Sequence, residues 1–101
     1  MVVFGFAQYG AYLGTRPLGA RVREDLKKIM EQEEKVILDF DGVEVVANSF
    51  ADECLGKLLL EMSLEELQSK TTFRNLEGLP RISVSVALRR RYYSLTRTDA
   101  S

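Results

Sequence analysis

Between Val36 and Met62 the apolar positions pass from an unbroken run through a β-branched alternation to a helical period. Val36, Ile37 and Leu38 are consecutive. That is the pattern of a strand buried on both faces, as in the middle of a parallel sheet with helices above and below. Asp41-Gly42 reads as a turn, and Val43, Val45 and Val46 as a second short strand. From there Phe50, Ala51, Cys54, Leu55, Leu58, Leu59 and Met62 form two adjacent helical rows, which predicts an amphipathic helix over 49–62 lying on the sheet. Ser49 stands where an N-cap belongs, Asp52 lies near a capping-box position, and Glu53 adds a second carboxylate to the first turn, where the helix dipole favours negative charge. Leu60 falls on the polar side among Asp52, Glu53, Gly56 and Lys57, so the following segment is expected to cover it.

The flanks repeat the strand and helix alternation. Residues 2–6 read as a short strand, and Gly10 and Gly14 punctuate a loop or hairpin around Tyr12 and Leu13. Thr15 can cap a helix over 16–33, in which Pro17 is tolerated in the first turn and Leu18, Val22, Leu26, Ile29 and Met30 make the core face. Residues 62–70 read as a helical or turn-rich polar segment, and 71–76, TTFRNL, as a further strand. After Gly78 two periods conflict: Ile82, Val84 and Val86 alternate like a strand, while Val84, Leu88, Arg91, Tyr92 and Leu95 align along a helix. Residues 97–101 are expected to fray.

Composition narrows the chemistry. With 101 residues the chain fits a single domain. It holds no histidine and one cysteine, Cys54. The usual general base is thereby missing, as is every Ser/His or Cys/His nucleophile pair, and a structural zinc site is disfavoured. We therefore expect no enzyme activity, no cofactor and no metal. No apolar run is long enough to span a bilayer, and the opening residues lack the basic flank of a signal peptide, so a cytoplasmic location and no membrane partner are expected. Cys54 sits in an apolar helical row and reads as a buried, inert thiol. Asp39, just before the turn, reads as a turn-capping carboxylate. A carboxylate-based enzyme site around Asp39, Asp52 and Glu53 is the least favoured reading, since no nucleophile accompanies it.

Charge is uneven. Residues 81–101 carry five Arg and one Asp, a local +4, against nine positive and fourteen negative charges, or −5, before them. Arg89, Arg90, Arg91 and Tyr92 combine cations with an aromatic ring, as nucleic-acid surfaces do, so a nucleic-acid accessory role through a basic C-terminal segment, 81–97, is one functional alternative. Arg16 and Arg23 lie on nearly the same helix face with Gly19 between them. A glycine there suggests close approach of a neighbour, and the two guanidiniums could grip an anion or an acidic partner residue, or simply extend into solvent.

The spacing Arg16-x-x-Gly19-x-x-Val22-Arg23, followed by Asp39-Phe40-x-Gly42-Val43 and then Ser49-Phe50-Ala51-Asp52-Glu53 and Gly56, resembles the STAS-like family of small bacterial proteins of unknown function. The resemblance extends to TTFRNL as the family's third strand and implies a C-terminal helix over 79–95. The implied architecture is a compact STAS-like α/β domain, with a mixed sheet of about four strands and helices at 16–33, 49–62 and 79–95. More distantly, residues 39–53 resemble the segment of anti-sigma factor antagonists in which an Asp-Ser-Ser-Gly motif ends a strand and begins a helix. Those domains bind a kinase-type partner under control of phosphorylation of the first serine. Here Asn48 falls on the phosphorylated position, Ser49 on the second serine, Ala47 on the Asp and Phe50 on the Gly, which argues against a switch at position 48. A phosphate on Ser49 would meet Asp52 and Glu53, and repulsion would oppose its docking. The implied function is a non-enzymatic protein-interaction module in bacterial signalling, meeting a kinase- or ATPase-like regulator through loop 46–49 (with Asn48, Ser49, Asp52 and Glu53) flanked by Arg16 and Arg23.

Overall fold

The computed structural model describes residues 1–96. The expected frayed tail, and Arg97 at the end of the basic segment, lie outside the described residues. In chain order the elements are β1 (Val2–Gly5), a 3-10 turn (Phe6–Tyr9), β2 (Tyr12–Leu13), α1 (Arg16–Gln32), β3 (Val36–Asp39), β4 (Val45–Val46), α2 (Asn48–Cys54), a second 3-10 turn (Gly56–Leu60), α3 (Leu64–Lys70), β5 (Thr71–Arg74) and α4 (Gly78–Thr96).

The strands form two sheets, β1-β3-β5 and β2-β4, and all three pairings are parallel. This replaces the expected mixed sheet of about four strands. The reason lies at Asp41-Gly42. Gly42 takes a positive φ of 85°, and the turn closes with Val43 N–H donating to the Phe40 carbonyl at 3.0 Å. The turn does not fold β4 back onto β3. It carries the chain across to β2, with which β4 pairs, Tyr12 opposite Val45 and Leu13 opposite Val46. Strands paired in parallel need long crossovers, and here helices supply them.

β3 is the central strand, as its apolar run implies, yet its burial alternates: Val36 and Leu38 are buried, whereas Ile37 and Asp39 are half-buried. The expectation of burial on both faces is thus corrected. Val3, beside Ile37 in register, is exposed, as is Thr72 on the other side. Against the covered face pack Val22, Leu26 and Met30 of α1, Phe50 and Cys54 of α2, and Val84 and Ala87 of α4. Phe6 stacks on Phe40 with ring centroids 4.2 Å apart. These two rings and Phe50 are fully buried, each contributing about 2 kcal/mol relative to an exposed side chain.

Thr15 caps α1 as its position implies, accepting from the Leu18 N–H at 3.2 Å. Ser63 does the same for α3, accepting from Glu66 N–H at 3.0 Å. The helix expected over 49–62 is instead two pieces: α2 ends at Cys54, and the 3-10 turn Gly56–Leu60 continues it. Gly56 is a weak helix former, and the tighter turn still buries Leu58 and Leu59. Leu60, expected to be covered, is 56% exposed. Beyond Gly78 the helical period prevails. Val84, Ala87, Leu88 and Tyr92 meet the core, whereas Ile82, which only a strand would have turned inward, is exposed.

Candidate functional site

α2 starts two residues earlier than a Ser49 cap would require. The last bond of the β2–β4 ladder, Ala47 N–H to the Leu13 carbonyl at 2.9 Å, ends the extended stretch, and Ala47, still extended, is the N-cap, its carbonyl accepting from Ala51 N–H. Ser49 is consequently inside the first turn, and its hydroxyl donates to the Gly14 carbonyl at 3.3 Å. Asp52, released from capping, turns to two arginines.

The two carboxylates on α2 are the centre of an ionic network that joins three helices. Arg91 of α4 reaches both Asp52 oxygens with Nη2, each at 2.8 Å, and Arg16 of α1 reaches Oδ2 with Nη1 at 2.9 Å. The same Arg16 Nη1 lies 3.2 Å from Glu53 Oε1. Arg23, about two turns further along α1, donates to Glu53 Oε2 at 3.1 Å and to the Glu53 carbonyl. Lys57 completes the set at 3.1 Å from Glu53 Oε1. Glu53, expected on a polar helix face, is only 8% exposed. Burial by itself would raise both carboxyl pKa values, but the hydrogen bonds outweigh it: Arg91 and Arg16 hold Asp52 below its usual range, and Lys57, Arg23 and Arg16 do so for Glu53. The same bonds raise Arg16 further above its already high value. Four cations therefore serve two carboxylates, and the repulsion expected between a phosphate near Ser49 and bare Asp52 and Glu53 does not describe this surface.

Gly19 explains how the helices come close enough. A Cβ there would stand 2.9 Å from Glu53 Cβ and 3.0 Å from the Phe50 carbonyl oxygen. Close approach at Gly19 was legible, and the neighbour is α2. On the other side a Cβ at Gly56 would meet Asp52 Oδ1 at 2.8 Å and the Ala87 carbonyl at 3.4 Å, so α4 also comes close, though less tightly than α1.

Where α1, α2 and α4 meet at the surface lies a cavity of about 300 Å³, lined by Arg16, Asn48, Ser49, Asp52, Arg90 and Arg91 together with Ser94 and the small side chains Val86 and Ala87. Of the predicted site residues, Arg16, Asn48, Ser49 and Asp52 thus line one cavity. Glu53 and Arg23 lie in the ionic network beneath it, Arg23 with its side chain 15% exposed. Arg90 and Arg91, assigned in the alternative reading to a nucleic-acid surface, line the same cavity from α4. Arg89 is exposed, and Tyr92 packs against the core. Sequence reasoning missed Lys57, whose i, i+4 spacing to Glu53 was the available signal, and the Arg91–Asp52 pairing, which spans 39 residues and left no local signal.

Asp39 stands apart from this network, at the end of β3. Its carboxylate accepts from Asn75 Nδ2 at 2.9 Å, from Arg74 Nη2 at 2.9 Å and from the Asp41 N–H at 3.0 Å, and these bonds, Asn75's first, draw its pKa down to about 2. It caps the turn, as expected. Tyr9 donates to Asp25 Oδ2 at 2.7 Å, and burial together with that bond raises its hydroxyl pKa. Cys54 is fully buried, and desolvation pushes its thiol up to about 12. Among the described residues no group of three His, Cys, Asp or Glu is placed to hold a metal ion, and no helix is long and apolar enough to cross a membrane.

No curated protein and no solved structure matches this chain. A family model does match, over residues 19–78, a span from the Gly19 close approach through both carboxylates to the first residue of α4. That family is described as the STAS-like domain of unknown function (DUF4325), and the chain belongs to it.

Proposed function

We propose that this domain is a non-enzymatic regulatory module in bacterial signalling that docks a protein partner through the corner where β4 enters α2, residues 46–49. The observation that carries the reading is the make-up of that corner. Tyr12 and Val45, opposite each other on the parallel pair β2-β4, are 66% and 42% exposed, while their neighbours Leu13 and Val46 are buried. An aromatic and a β-branched side chain therefore stand side by side in solvent, next to exposed Asn48 and the Ser49 hydroxyl. Exposed apolar groups with a polar rim suit a protein interface, where tyrosine is enriched. The carboxylates that acid–base chemistry would need are engaged: Asp39 by Arg74 and Asn75, and Asp52 and Glu53 by basic side chains. Family likeness to anti-sigma factor antagonists suggests a kinase- or ATPase-type regulator as the partner, an analogy of fold rather than of site.

Affinity capture from native lysate tests this, comparing the parent with a Tyr12→Ala/Asn48→Lys double variant. Both side chains are exposed, so the fold is expected to persist, checked by circular dichroism. Specific capture of a regulatory ATPase or kinase by the parent, lost in the variant, is the expected result. Capture that the variant leaves intact would move the docking surface elsewhere.

A further inference from the structure

The cavity between α1, α2 and α4 carries more positive charge than its own carboxylate can neutralise. Its ionisable lining is Arg16, Arg90 and Arg91 against Asp52, a sum of +2. A guanidinium has five N–H donors in a fixed fork. Among the described residues Arg16 is engaged only through Nη1, on Asp52 and Glu53, Arg91 only through Nη2, on Asp52, and Arg90 has no carboxylate partner. Asp52 thus behaves as a strut: it fixes two guanidiniums from different helices and leaves most of their donors unused. Beside them stand the Asn48 amide, able to donate to an oxygen-rich ligand, and the Ser49 hydroxyl, whose one hydrogen would have to turn from the Gly14 carbonyl to do the same.

We infer that this cavity binds a phosphate monoester. A terminal phosphate carries about −1.5 to −2 at neutral pH and three acceptor oxygens, which match the +2 lining and its donors; a carboxylate would leave one positive charge unanswered. Guanidinium forks pair bidentately with such an oxyanion, and two of the three are already held in place, so little side-chain ordering remains to oppose binding. The cavity, about 300 Å³, is at the small end of ligand pockets and suits a compact phosphorylated group. This inference goes beyond the docking role and needs no protein partner, so either can fail without the other.

The test titrates the purified chain with inorganic phosphate, O-phosphoserine and adenosine 5′-monophosphate, following backbone amide and arginine Nε signals by NMR. Expected are saturable shifts at Asn48 and Ser49 and at the Arg16, Arg90 and Arg91 side chains with at least one of the three. The probe that binds tightest identifies the carrier of the phosphate. Arg90→Glu, at an exposed position, should weaken binding by about tenfold or more, as loss of a charge-assisted hydrogen bond implies. Arg16→Gln is the second variant, and Arg81→Glu, outside the cavity, should leave the titration unchanged. Absence of saturable shifts with all three probes overturns the inference. So do affinities that Arg90→Glu and Arg16→Gln leave as they were, or that Arg81→Glu lowers equally.

Discussion

At the scale of single residues, Asp39 and Glu53 show how one side-chain type is put to different uses by its neighbours. Asp39 holds a turn together through three donors, and its pKa is drawn from an ordinary 3.8 to about 2. A carboxyl whose folded pKa is depressed stabilises the fold above its unfolded pKa and loses that contribution as pH falls through the folded value. The window is therefore from about 3.8 down to about 2, and a ¹³C titration of the Asp39 carboxyl should show a midpoint near the lower figure. In Asn75→Ala, which removes the largest cause, the midpoint should rise; an unchanged midpoint would show that Arg74 suffices. The turn-capping role of Asp39 was legible because Asp-Gly is a strong local signal. The surroundings of Glu53 were not: a carboxylate in a helix's first turn reads as solvated, and only the approach of α1 at Gly19 buries it. Placing Ser49 as the N-cap failed because the preceding ladder bond, not side-chain identity, set where the helix could begin.

At the scale of elements, Gly19 decides how α1 lies on α2. In an isolated helix, Gly→Ala stabilises by about 1 kcal/mol. Here the added methyl would stand 3.0 Å from a backbone oxygen that cannot swing aside, and forced overpacking costs about 1–3 kcal/mol. With the propensity gain set against it, Gly19→Ala should lower stability by up to about 2 kcal/mol, read from urea unfolding, and a stabilised variant would contradict the packing described. The helix faces were well marked in the sequence, since the row Phe50, Cys54, Leu58 survives the change from α2 to the 3-10 turn. Strand partnership was not marked. The pairing of β4 with β2 rather than β3 is a non-local choice, and the alternation Val43, Val45, Val46 is the same whichever partner is taken.

At the scale of the whole molecule, Cys54 reports on integrity. It lies in the core shared by α1, α2 and the sheet, with its thiol pushed up to about 12 by burial. A disulfide reagent at mildly alkaline pH should leave the native chain unmodified and label it along the same urea curve that abolishes its helical circular dichroism. Rapid labelling without denaturant would show that this core opens locally. The architecture as a class was legible because α1 and α2 carry clear apolar rows and each strand is short, whereas α4, with its conflicting periods, was placed through the family resemblance. The division into two small parallel sheets was not, because it depends on where one turn directs the chain. Asp52, which takes a guanidinium from near the start of the chain and another from near its end, imposes an order on assembly during translation. A ribosome-bound nascent chain can bring Arg16 to Asp52 early, but the second half of the clasp must wait until Arg91 has been synthesised. Stalled chains in which Arg91 is still inside the ribosomal exit tunnel and chains extended far enough for it to emerge should therefore differ sharply in resistance to protease.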